Sequence, residues 1–230
     1  MWFDPVYFLF LSPALVLMII AQAMVQGRFR KYSQVGTSSG LTGAEVAREI
    51  LRANGILNVK VEEVSGFLSD HYDPISRTLR LSPGVYHGRS QAAVGIAAHE
   101  CGHAIQHAQG YALLALRSAL VPAVQVGSWI WMPLLFLGFF LGTMNLIMLG
   151  IVAFSAIVVF QLITLPVEFD ASRRALVQIQ QLGIVRGNEV VGARKVLTAA
   201  ALTYVAAALQ SVLTLLYFLM RAGLLGGRRD

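Results

Sequence analysis

The stretch Ala97-Ala98-His99-Glu100-Cys101-Gly102-His103-Ala104-Ile105 decides how the rest of the chain is read. It continues an apolar run that begins at Ala92, and a run of that length predicts a buried helix. On a helix, residues four apart differ by about 40° in direction, which projects His99 and His103 side by side with Glu100 next to them. Two neutral imidazoles suit a Zn²⁺ ion and leave room for a third ligand and a water. The ion lowers that water's pKa toward roughly 7, and a nearby carboxylate takes its proton. His99 and His103 are therefore expected as metal ligands, one Zn²⁺ per chain as the cofactor, and Glu100 as the catalytic base. With five His and seven Glu in 230 residues, the H-E-x-x-H spacing arises by chance about 0.003 times per chain. Unpartnered His and Glu on an apolar face would also carry a desolvation cost.

The nearest further histidine does not complete the set. His107 lies about 12 Å along the helix axis from His99 at a 1.5 Å rise per residue, so it is expected to support the site or to mark the helix end. A metzincin pattern needs a histidine at position 109, where Gln109 stands instead.

Hydrophobic residues make up 56% of the chain and charged ones 13%, a balance that excludes an ordinary soluble domain. Four stretches reach the roughly 20 apolar residues that a spanning helix needs: 6–25, 118–141, 144–165 and 198–220. The first has no basic residue before it and is longer than a signal-peptide core, so it is expected to remain as an anchor. The net charge of +6 raises nucleic acid as a partner only until the basic residues are placed. Ten Lys/Arg fall between the first and second spans and five between the third and fourth, with none before the first or in the turn between the second and third. The positive-inside rule puts both polar segments in the cytoplasm, and no nucleic-acid partner is expected. Arg221, Arg228 and Arg229 then fall outside, against that rule. The single cysteine, Cys101, excludes an intrachain disulfide.

Between the first two spans, Arg28-Phe29-Arg30-Lys31-Tyr32 reads as a basic and aromatic interface collar, and residues 36–40 as a Gly/Ser-rich linker. Thr42-Gly43-Ala44-Glu45 is a capping box, and predicts a helix through Ala53 stopped by Asn54-Gly55. Residues 58–64 and 78–81 read as strands joined by the polar hairpin loop Leu68-Ser69-Asp70-His71-Tyr72-Asp73-Pro74. Residues 77–82 are expected as an open strand edge to which an extended peptide can add, and His71 and Asp73 as candidates for contact with substrate or metal. Ser90 is the expected N-cap of the metal helix, which ends near Gln109 before Gly110. The second span follows at once, so the site is expected close to the cytosolic membrane surface.

The third and fourth polar landmarks come after a membrane hairpin turning at Gly142-Thr143. Pro166 is expected in the first turn of a new helix that stops at Gly183. That helix brings Glu168 to the same membrane face as the metal helix and makes it the expected third zinc ligand. Ser172, four residues on, shares its face, whereas Asp170 points about 160° away. Arg173 and Arg174 fit two roles equally, orienting a carboxylate or standing as membrane-interface charges, and a last helix starts at Gly187-Asn188-Glu189.

The segments Leu68–Pro74, Leu79-Arg80-Leu81-Ser82, Ala97–Gln106 and Leu165-Pro166-Val167-Glu168-Phe169-Asp170-Ala171-Ser172 together resemble the YugP-like neutral zinc metallopeptidases, small bacterial membrane proteins. The resemblance implies a gluzincin-like site of His99, His103 and Glu168 with Glu100 as base. The chain is also similar to the membrane-anchored HtpX-type proteases, in which a glutamate on a later helix is followed four residues on by an aspartate. Ser172 holds that place here and the aspartate is Asp170, so which of them supports the zinc histidines stays open.

The expected fold is a mainly α membrane protein of about four transmembrane helices with a small α+β, zincin-like catalytic region facing the cytosol. Its expected parts are an anchor (1–27), a catalytic region with a short β-hairpin and the H-E-x-x-H helix (28–117), a helical hairpin (118–165), the helix supplying the third ligand (166–197) and a last span and tail (198–230). The leading expectation is a zinc endopeptidase of the bacterial inner membrane, with the lipid bilayer and membrane proteins or their cytosolic tails as partners. Two rivals remain at this point. An intramembrane site-2-type protease is opposed by a metal helix shorter than a span, flanked by Arg89 and Gln109, and by the absence of an L-D-G motif. A zinc-stabilised scaffold without turnover is opposed by an intact Glu100.

Overall fold

The computed structural model of the chain describes residues 4–225. In order, the elements are α1 (Pro5–Tyr32), α2 (Gly43–Ala53), β1 (Lys60–Glu63), β2 (His71–Asp73), β3 (Thr78–Leu81), α3 (Pro83–Tyr86), α4 (Gln91–Ala108), α5 (Ala112–Leu141), α6 (Met144–Gln181) and α7 (Glu189–Arg221). The protein is a mainly helical membrane protein with a small three-stranded sheet. Among the described residues, helices α1, α5, α6 and α7 are the four long and apolar enough to cross a bilayer. Two units are distinguished by their internal contacts.

The first unit comprises Met1–Ile20, Leu116–Leu165 and Thr203–Asp230. Within it, α5 and α6 form an antiparallel hairpin turning at Gly142, whose φ is +64°. Their backbones approach closely: a Cβ on Gly150 would lie 2.8 Å from the Leu135 side chain, and one on Gly138 would lie 2.7 Å from the Ile147 backbone nitrogen. Small residues at such crossings are the usual basis of helix packing where lipid removes the hydrophobic drive. Leu9, Trp129 and Phe140 are 75%, 83% and 77% exposed, the outward apolar surface that a bilayer would cover. Asp4 accepts hydrogen bonds from the Val6 N–H (2.9 Å) and the Tyr217 hydroxyl (2.7 Å), and Arg221 approaches it at 3.9 Å. Arg221, which runs against the charge rule, thus has an acid beside it; Arg228 and Arg229 lie outside the described residues.

The second unit comprises Ala21–Ala115 and Pro166–Leu202, and α4 is its centre, with 15 of its residues buried. Both hydrogen bonds of the capping box at Thr42 are formed, and α2 lies along α4 with the Cys101 thiol 3.6 Å from the Ala47 carbonyl. On another face of α4, Gly95 and Gly102 lie seven residues apart, about two turns, and so share a side. A Cβ on Gly95 would sit 3.0 Å from the Ala193 side chain of α7, and one on Gly102 would sit 2.5 Å from the Ala171 carbonyl of α6. Ser90 caps α4 by accepting from the Ala93 N–H at 3.2 Å.

Three details differ from the sequence reading. The loop before β3 contains a strand of its own, β2, and the sheet order is β1-β3-β2, with β1 parallel and β2 antiparallel to β3. The hairpin is therefore β2–β3, and β3 is the central strand with both sides paired, not an open edge. A three-residue strand has too little periodicity to register in sequence; it forms because Tyr72 and its neighbours find partners on β3. Pro166 lies inside α6 rather than at a helix start. A proline there removes one backbone donor, a loss that membrane helices tolerate when neighbouring side chains engage freed carbonyls. The division between the units falls at that proline. At 38 residues, α6 is about 57 Å long at 1.5 Å per residue, well beyond the roughly 30 Å of a hydrocarbon core.

Gly102→Ala is expected to separate α6 from α4 and to destabilise the second unit by about 1–3 kcal/mol. Its thermal midpoint should fall. Gly84→Ala, where an added Cβ meets nothing within 4 Å, should leave the midpoint unchanged, and equal midpoints for both variants would contradict the close approach.

Candidate metal centre

The helical spacing of His99 and His103 places their rings 4.8 Å apart at 82° to each other. Glu168 of α6 faces both: its Oε2 lies 3.2 Å from His99 Nε2 and its Oε1 lies 3.6 Å from His103 Nε2. One donor atom from each of the three residues falls within 4.8 Å of the others. Ligands on a tetrahedral zinc with bonds of roughly 2.0–2.1 Å stand about 3.3 Å apart, and the two His–Glu spacings suit one zinc ion between these residues. Three protein donors leave the fourth position free, as hydrolytic zinc sites require. The Glu168 side chain is only 2% exposed, against 13% for His99 and 10% for His103.

The other ring nitrogens are each held. Ser172 Oγ lies 3.1 Å from His99 Nδ1, and Gln106 Oε1 lies 3.1 Å from His103 Nδ1. The Gln106 amide nitrogen donates to the Val167 carbonyl and to Asp170 Oδ2, both at 2.9 Å. Asp170 in turn accepts from Arg173 and from Arg174. Gln106 is fully buried and was not singled out from the sequence; its position three residues after His103, on the same helical face, was the available signal. Asp170 reaches α4 despite its direction on the wheel, because its partner Gln106 sits nearly a turn beyond His103 and has a longer side chain. A partner for each imidazole fixes its orientation and tautomer.

Glu100 is buried, and that burial pushes its carboxyl above the usual range, with His99 and His103 opposing and Glu168 and Asp70 adding to the rise. Burial opposes protonation of His103, but the Glu168 carboxylate outweighs it and the net shift is upward. Asp70, in the loop before β2, is held by the Ser82 N–H at 2.8 Å and by the Ser82 hydroxyl. Burial raises its pKa against those bonds. Burial also raises the Cys101 thiol well above its ordinary value, which makes it inert.

The remaining candidates lie elsewhere. His71 is exposed, with Nδ1 against the Ser69 carbonyl at 2.8 Å. Asp73 closes the β2–β3 turn, accepting from Ile75 N–H, the Ser76 hydroxyl and Arg80. Neither joins the cluster, since both side chains are spent on local turn bonds. His107 accepts or donates at Nδ1 to the Tyr72 hydroxyl at 2.8 Å, tying α4 to β2; Tyr72 had no signal in sequence beyond loop polarity. Arg173 is paired with Asp170.

Residues 7–223 match a family described as "putative neutral zinc metallopeptidase". The chain belongs to that family. It is 56% identical over 215 residues to the "putative membrane protease YugP" of Bacillus subtilis (strain 168), an alignment covering 93% of this chain and 95% of that protein. No solved structure matches the chain.

Gln106→Ala removes the partner of His103 and leaves the Val167 carbonyl and Asp170 one donor short. Zinc affinity is expected to fall about 10–100-fold, measured by competition with a chromogenic chelator. An unchanged affinity would show that His103 needs no such support.

Proposed function

We propose that this protein is a membrane-anchored zinc endopeptidase working at the cytosolic membrane face, with His99, His103 and Glu168 as ligands to one zinc ion and Glu100 as the general base. The observation that carries the reading is the spacing of the three donors, which suits a tetrahedral ion, with Glu100 on the same turn of α4 as His99. Family membership and the named relative support peptide hydrolysis as the reaction class.

Zinc, when bound, supplies a Lewis acid that acidifies a water and polarises a carbonyl. Glu100 takes the water's proton as it attacks the peptide carbonyl carbon and passes that proton to the leaving amine. A carboxyl whose pKa is raised by burial suits both halves of that transfer. Ser172 holds His99, while Gln106, itself held by Asp170, holds His103. The charge distribution supports a cytosolic orientation, and a site in a chain with four potential spans supports membrane proteins or their exposed tails as substrates.

Glu100→Gln is expected to keep about one zinc per chain and to lose about 10²–10⁴-fold in cleavage, as removal of a general base does. Glu168→Ala is expected to lose zinc as well as cleavage. Metal analysis and a peptide-cleavage assay on detergent-purified proteins read both, and an active Gln variant or a fully zinc-loaded Ala variant would remove the residue concerned from its role. Cys101 is enclosed between α2 and α4, so a test of bilayer depth against the intramembrane alternative needs a cysteine introduced elsewhere.

A further inference from the structure

A groove of about 430 Å³ runs between α6 and α7 inside the second unit, a volume within the roughly 300–1,000 Å³ of ligand pockets. Its apolar lining includes Phe169, Leu176 and Leu197, its polar lining Ser172, Arg173 and Arg194, and no acidic residue contributes to it. Phe169 is 47% exposed at the side of this groove.

The groove is joined to the metal centre by a residue they share. Ser172 lines the groove and its hydroxyl lies 3.1 Å from His99 Nδ1, and Phe169 directly follows Glu168. His99 is also the most exposed of the three ligands. The charge of the groove is positive on balance. Asp170 is shared between Arg173 and Arg174, which leaves one positive charge uncompensated. Arg194 makes no ion pair among the described residues.

We propose that this groove receives the substrate: an apolar polypeptide segment bearing an acidic side chain, whose carboxylate faces Arg194 and Arg173. The assignment rests on the peptidase reading and adds a substrate class to it. Leu176, Leu197 and Phe169 take the apolar side chains, and the two guanidiniums select for negative charge. An anionic phospholipid shares that chemistry, but a groove that begins at Ser172, beside a histidine of the metal centre, favours a substrate.

The test uses the full-length Glu100→Gln protein in zwitterionic nanodiscs, with zinc content measured in parallel. Two fluorescent peptides of the same apolar sequence, one with a central Glu and one with Gln, are titrated by anisotropy. The Glu peptide is expected to bind roughly threefold to fivefold tighter, as partly exposed ion pairs allow. Arg194→Gln should abolish that preference, and Arg194→Glu should transfer it to a Lys-bearing peptide, with zinc content unaltered in both. In the background with Glu100 intact, Arg194→Glu should raise KM for the acidic peptide more than it lowers kcat. Equal binding of both peptides, unaffected by Arg194→Glu in a zinc-loaded protein, would overturn the groove assignment while leaving the peptidase reading intact. A change confined to co-purified phosphatidylglycerol would overturn it in favour of a lipid site. Absence of zinc from every variant would sink the peptidase reading and the groove assignment with it.

Discussion

The Glu168 carboxylate, almost wholly removed from solvent on a helix that continues an apolar run, is the constraint on which the second unit depends. An ionised carboxylate buried without partners costs several kcal/mol, and two imidazoles lie against this one. They can do so only if α6 lies against α4 at close backbone distance. Gly102 permits that approach where any side chain would strike the Ala171 carbonyl. Gly95 does the same for α7 two turns earlier, so a single face of α4 organises both later helices. The opposite demand, a rigid α4, is met by α2 and the sheet.

The length of α6 follows from the same constraint. A helix that only crossed a bilayer would end near Leu165, before reaching the carboxylate. The same helix instead continues from the apolar segment to Glu168, Asp170 and Ser172 without a break at Pro166. The proline was readable as a helix start because its fixed φ and missing N–H suit the first turn. Those properties are equally compatible with a position inside a long membrane helix, and sequence alone does not distinguish the two.

What the sequence disclosed was mostly local. The spans, the capping box, the Ser90 cap, the stops at Gly110 and Gly183 and the paired histidines each depend on residues within a turn or two of one another. The choice of Glu168 needed one further step, that it lay on the next polar helix. What escaped depends on contacts far apart in the chain. The β2 strand is too short to carry a period, and its pairing makes β3 central rather than an edge. Asp170 and Ser172 stayed open alternatives because the wheel angle favoured only Ser172, yet Asp170 meets Gln106 because two close helices bring long side chains together from off-face positions. Gln106 was missed because the expected partner of a metal-binding histidine is a carboxylate or carbonyl, and an amide that bridges the two was not sought.

That amide has an electrostatic consequence on the proposed reading. A carboxylate hydrogen-bonded to a ligating imidazole pushes negative charge toward the ion and makes the ligand more basic. Here the direct partners are a hydroxyl on His99 and an amide on His103, both neutral. The nearest carboxylate behind them, Asp170, is one residue removed and its charge is shared with Arg173 and Arg174. The imidazoles are thus oriented without being made strongly electron-rich. With two neutral ligands and one carboxylate, a divalent ion keeps a net charge of about +1, enough to acidify a water. Glu100, which follows His99 in α4, has its pKa raised by burial and is left to accept a proton rather than to neutralise the ion.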